Sequence, residues 1–296
     1  MKKRKIKAAS KDFLPNALPQ TRKDQLPFVL KNQFSVLLFS GLWLLLCFLP
    51  IILTVFFQNR FEVGFYSMYR EGKLSEADYR SSINALMIYG SLLEIAFSFV
   101  ASIALSGVLR IMKCLLSGES VLFFLDFKEG IKQNYKNTCL LFLFFGILLF
   151  LCRFVNAFYF EYFLGIPFYV LLLLLVIPIF LLAGVFSSVY ECNVFQAIGN
   201  ATKLYFPAWW KYLLLALLLA GGLYVLSYLQ TIPTFLTTIH LLLALFGLPL
   251  YLLLLYSVSF GVFDKYINRE QFPSFYGAGL YRPKNDNIDK IEIKGE

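Results

Sequence analysis

The sequence predicts an all-α protein: a polytopic membrane helix bundle of six transmembrane helices, arranged as three hairpins with cytoplasmic amphipathic lead-in helices. Three observations carry this. Six apolar stretches, at about 34–57, 85–109, 138–160, 166–190, 212–230 and 235–263, approach or exceed the ~20 helical residues needed to cross a hydrocarbon core about 30 Å thick. Hydrophobic residues make up 59% of the 296-residue chain and charged residues 15%, against about 45–50% and about 25% in soluble domains. The basic residues also follow the connections. Nine precede the first span, five lie between spans two and three, two between spans four and five and six in the tail, against four in the outer loops (Arg60, Arg70, Lys73 and Arg80).

That asymmetry is the positive-inside pattern, and it sets both termini in the cytoplasm. A net charge of +9 would suit nucleic acid if it gathered on one folded face. Here it is spread by topology, so the lipid bilayer is the expected partner and nucleic acid is not.

Residues 1–33 form a basic cytoplasmic N-terminal segment. Pro15, Pro19 and Pro27 predict a disordered or surface-lying start that ends in a short helix near Leu26 to Phe34. A basic start before an apolar run imitates a secretory signal. The run is longer than an h-region of about 7–15 residues and lacks a small-x-small cleavage site, so it is expected to remain as span one. Between spans one and two, Gln58 to Asn84 is expected as an outer loop with a short helix from Ser75 to Ser82. Ser75 is its N-cap and Asp78 sits in its first turn. Four positive and four negative charges leave this loop neutral, a poor collector of charged substrates.

The connection from Arg110 to Asn137 mixes apolar and charged residues and is divided by Gly118. It reads as two amphipathic pieces in the cytoplasmic interface, the second running into span three. A similar piece, Cys192 to Lys211, precedes span five and ends in Trp209 and Trp210, which suit the headgroup level. Leu30-Lys31-Asn32-Gln33-Phe34 before span one parallels Ile131-Lys132-Gln133-Asn134-Tyr135 before span three, a faint repeat in keeping with the hairpins. The six-helix domain spans 34–263, and 264–296 is a cytoplasmic tail.

Glu94, about nine residues into span two, is the sharpest candidate, because an ionisable group at that depth is costly unless paired or hydrated. Gly90, Glu94, Ser98, Ser102 and Ser106 recur every four residues, so span two is expected inside the bundle. Two readings fit the stripe: close helix packing through small residues, or a hydrated path lined by Glu94 and the serines. Arg153 in span three is the second intramembrane charge. It is expected either to pair with Glu94 or to snorkel to the outer interface.

His240 has no second histidine, cysteine or carboxylate at ligand spacing, so neither a metal nor any other cofactor is expected. The five cysteines (Cys47, Cys114, Cys139, Cys152 and Cys192) show no CxxC spacing and read as small core residues. Pro50, Pro178 and Pro249 are expected to kink spans one, four and six. No HExxH, GxSxG, Walker or GxGxxG motif occurs, so the chain is not expected to be an enzyme.

The run from Leu109-Arg110 through Leu122 to Phe127, the Lys132-Gln133-Asn134-Tyr135 entry to span three and the exit Phe263-Asp264-Lys265-Tyr266-Ile267-Asn268 resemble the YesL-type family of uncharacterised bacterial membrane proteins. Phe272-Pro273 and Gly279-Leu280 extend the likeness. The resemblance implies a six-helix protein of the bacterial plasma membrane, considered alongside carbohydrate uptake systems, and it carries no catalytic residues. The expected role is a non-enzymatic accessory or scaffold for a transport system or envelope assembly. Transport subunits would be its partners, met through Trp209, Trp210, Lys132 and Lys136. The alternative is a small-molecule transporter whose path runs by Glu94, Arg153, Ser98, Ser102 and His240.

Overall fold

The structure is a computed structural model, and it describes residues 18–159, 170–228, 238–239 and 241–281. Among these the fold is all-α, without strands. Five helices are long and apolar enough to cross a membrane: Phe34–Arg70, Glu76–Ser117, Phe123–Val155, Leu172–Val189 and Leu245–Gln271. The remaining predicted span, the fifth at 212–230, falls on the helix Val194–Tyr228, whose side chains beyond residue 221 lie outside the described residues.

A short helix α1 (Arg22–Asn32) opens the described chain, capped by the Thr21 hydroxyl, which accepts from the Asp24 amide. It begins earlier than the sequence suggests and is no loose surface element, because Gln25 and Val29 are buried beneath it. The next helix, α2 (Phe34–Arg70), runs well past the predicted end of span one. The expected outer loop is therefore mostly helix, and only residues 71–75 separate α2 from α3 (Glu76–Ser117). Residues 58–70 contain no proline, and stacking of Tyr69 on Tyr79, with ring centroids 5.0 Å apart, closes the helical hairpin. Ser75 caps α3 as its sequence position suggests, accepting from the Asp78 amide at 3.1 Å.

The first amphipathic piece after span two is also different from expectation. α3 continues without a break to Ser117, and Ile111, Met112, Lys113, Cys114, Leu115 and Leu116 are all buried. That stretch belongs to the packed core. Gly118 ends the helix in the left-handed region, φ 71°, where a residue without Cβ is favoured. From there α4 (Phe123–Tyr159) runs directly from its lead-in towards the third span, as the sequence suggests. Asp126 caps its start, accepting from the Leu122 amide at 2.9 Å, and its other oxygen lies 3.6 Å from Arg110 Nε.

The prolines mark irregular turns. A π-helical turn, Leu172–Val176, precedes α5 (Ile177–Val189) at Pro178, and another, Leu243–Gly247, precedes α7 (Leu248–Phe263) at Pro249. A proline has no N–H and crowds the carbonyl four residues earlier, and widening the preceding turn relieves that crowding. Between them, α6 (Val194–Tyr228) bends at Ala208, just after Pro207, where φ is −124° and ψ 17°. This bend divides the amphipathic lead-in from the apolar remainder. Pro50, in contrast, sits within a continuous α2.

Helix α3 is the hub, touching α1, α2, α4, α5 and α7, in line with the prediction that span two sits inside. The most extensive pairings are α3 with α4, α2 with α3, and α5 with α6, so neighbours pair between the predicted hairpins as well as within them. The largest buried side chains, among them Met112, Leu116, Phe186, Tyr256, Phe260 and Phe263, gather where α3, α5 and α7 end. Among the described residues, the largest buried side chains therefore lie beside α1.

Candidate functional site

Two polar constellations lie along α3, one near its middle and one at its C-terminal end. The first joins α3 to α4. These helices run antiparallel, which brings Arg153 beside Ser91 and Glu94, one helical turn apart in effect. Arg153 Nη1 donates to Glu94 Oε2 at 2.9 Å and to Ser91 Oγ at 2.8 Å. Ser91 in turn donates to the Met87 carbonyl at 2.6 Å. Of the two expectations for Arg153, pairing with Glu94 is the geometry found. The other carboxylate oxygen of Glu94 is buried and accepts no hydrogen bond from any described residue.

Gly90 explains why α2 approaches so closely here. A Cβ at that position would collide with the Gln58 side chain, which lies across it. Above Gln58 the helices separate around a cavity of about 190 Å³ that Arg153 also lines.

The serine stripe does something simpler than line a path. Ser98, Ser102 and Ser106 donate to the carbonyls of Ile95, Phe99 and Ile103, at 2.6, 2.7 and 2.7 Å. Their hydroxyls bond within their own helix, and the three residues are buried. This is small-residue packing of the kind membrane bundles use. His240 lies outside the described residues.

The second constellation was not legible in advance. Arg22 donates Nη2 and Nε to Asp264 Oδ2 at 2.7 and 3.2 Å, and Nη1 to Gln25 Oε1 and the Ala278 carbonyl at 2.9 and 2.8 Å. Asp264 Oδ1 accepts from Asn268 Nδ2 and from the Gly277 amide, at 2.9 and 3.2 Å. Tyr190 donates to Asn268 Oδ1 at 2.6 Å, and Gln25 donates to the Leu116 carbonyl. The guanidinium also stands 5.3 Å over the Phe260 ring. One arginine thus ties α1, the end of α7 and the segment that follows it into a single body.

The interface candidates are exposed on other helices. Trp209 and Trp210 are 52% and 53% accessible, just past the bend in α6, and Lys211 Nζ lies 5.7 Å from the Trp210 ring. Lys132 and Lys136 are exposed one turn apart on α4. The structure does not bring the tryptophans and these lysines into one hydrogen-bonded site. All five cysteines are free, and no group of three metal-ligating side chains occurs among the described residues.

Sequence reasoning missed Ser91, Gln58, Asn59 and Glu62 near the first constellation and Arg22 and Asp264 in the second. Gly90, one turn before Glu94, was the available signal for the first. Arg22, one of many basic residues near the N-terminus, carried none. No protein-family model, no curated protein and no solved structure matches this chain.

Proposed function

We propose that this chain is a six-span protein of a bacterial plasma membrane, with both termini in the cytoplasm, acting as a non-enzymatic scaffold or accessory for a transport system or envelope assembly. The observation that carries this reading is the Arg22–Asp264 network. It makes α1 and the residues after α7 a fixed body beside the largest buried side chains, and a fixed body is what a partner needs for repeated docking. Exposed aromatic residues on α6, Phe195, Phe206, Trp209 and Trp210, are of the kind enriched in interfaces.

The basic residues support the orientation, since Lys128, Lys132, Lys136 and Lys203 lie exposed in the lead-ins. Six spans follow if the apolar residues of α6 beyond its bend cross as the sixth helix, and three hairpins are then the simplest connectivity. The likeness of residues 109–127 to YesL-type proteins supports carbohydrate uptake systems as the first partners to seek. Satisfied serine hydroxyls favour the scaffold over a hydrated path along α3.

Purification of the tagged full chain from native membranes in mild detergent tests the reading. Permease or ATPase subunits at stoichiometric yield are expected, lost in Arg22→Glu. A homo-oligomer free of other subunits would overturn it.

A further inference from the structure

The cavity between α2, α3 and α4 lies at the end of the bundle away from α1 and the Arg22 network. Four of its lining residues are polar: Gln58, Asn59 and Glu62 on one face of α2, and Arg153 from α4. None of the three α2 side chains makes a hydrogen bond or ion pair with another described residue. Arg153 uses only Nη1, on Glu94 and Ser91, which leaves the N–H groups on Nη2 and Nε without a described partner. Gln58, Asn59 and Arg153 are partly buried and Glu62 is exposed at the rim, so a cavity bordered by four polar groups with unused capacity suits a polar occupant.

The charges define that occupant. Arg153 and Glu62 line the same space, yet they form no ion pair with each other. A lone anion would meet the Glu62 carboxylate as well as Glu94, and a lone cation would leave the unused N–H groups of the Glu94-paired guanidinium without an acceptor. A molecule carrying both charges can give its carboxylate to Arg153, whose planar fork suits that group, and its ammonium to Glu62. The remaining wall is apolar, from Val55, Ile83, Leu86 and Met87, and no aromatic ring is present to stack on a sugar. Its volume of about 190 Å³ exceeds the ~150 Å³ of a cavity that holds benzene, which limits the ligand to a small molecule.

We propose that this cavity binds a zwitterionic α-amino acid with a short apolar side chain. Arg153 takes the carboxylate, Glu62 the ammonium, the Gln58 and Asn59 amides the remaining hydrogen bonds, and Val55, Ile83, Leu86 and Met87 the side chain. The inference is independent of the scaffold reading, because it concerns the purified chain without companions.

Equilibrium binding of radiolabelled L-valine to the full-length protein in lipid nanodiscs tests it. Saturable binding with a dissociation constant below about 10 mM is expected, competed by L-alanine but not by isovalerate or isobutylamine, which each carry one charge. Glu62→Gln should weaken binding at least about tenfold with an unchanged melting temperature, since Glu62 is exposed and unpaired. No saturable binding, equal competition by either single-charge analogue, or wild-type affinity in Glu62→Gln would each overturn the assignment.

Discussion

Arg22 reaches Asp264 across 242 positions of sequence with two nitrogens on one carboxylate oxygen, 2.7 and 3.2 Å away. Both side chains are largely buried, at 17% and 12% exposure, so removing one partner strands the other and its dependants, the Gly277 amide and Asn268. Breaking such a pair costs about 3–5 kcal/mol when fully buried, and the residual exposure puts this one near ~3 kcal/mol. Arg22→Glu should lower the detergent-solubilised melting temperature, and Arg22→Asp combined with Asp264→Arg should recover part of the loss. Fluorescence-detected size-exclusion melts on the three proteins check this.

The Glu94–Arg153 pair permits the same logic near the middle of α3. Glu94→Arg or Arg153→Glu alone sets two like charges together in a partly buried site and should sharply reduce the folded yield. The double reversal should restore much of it, whereas equal losses in all three would show that the 2.9 Å contact holds nothing. Folded yield from membranes, read by monodisperse elution, is the measurement.

Pro178 and Tyr205 make a third, more local test. Position 178 has no N–H to give the Leu174 carbonyl one turn back, and the Tyr205 hydroxyl donates to that oxygen. Tyr205→Phe should remove the hydroxyl donor from this part-buried carbonyl and cost about 1 kcal/mol. Pro178→Ala returns an N–H and should make Tyr205→Phe nearly neutral. A double-mutant cycle by thermal melting decides whether the two positions are coupled.

Gly279 has φ 77° and lies against the Leu116 carbonyl, where a Cβ would collide with backbone. Gly279→Ala should therefore detach residues 277–281 from the end of α3. Limited proteolysis should cleave the variant beyond Asn268 under conditions that leave the parent whole.

The long apolar helices were legible because span length is a one-dimensional signal. The Ser75 cap was legible for a similar reason, since it depends on a few residues near in sequence. What escaped depends on pairing. Residues 58–70 looked like loop because Arg60, Glu62 and Arg70 interrupt the apolar run, yet packing of Tyr69 against Tyr79 across the hairpin keeps them helical. The stretch Ile111–Leu116 looked interfacial because Lys113 sits among apolar residues, yet all six are buried against neighbouring helices. Arg22 had no periodic or spacing signal at all, since its partner lies at the far end of the chain.

The central claim is that the fixed body around Arg22 and Asp264, together with the exposed aromatic residues of α6, docks a membrane partner. The most direct measurement is the yield of co-purifying transport subunits per mole of chain in the parent and in Trp209→Ala/Trp210→Ala, with melting temperatures recorded alongside. Both tryptophans are half exposed, so the pair of substitutions should spare the fold while reducing companion yield at least about tenfold, as the loss of aromatic anchors does at interfaces. Undiminished companions in the double variant, or none in the parent, would contradict the account.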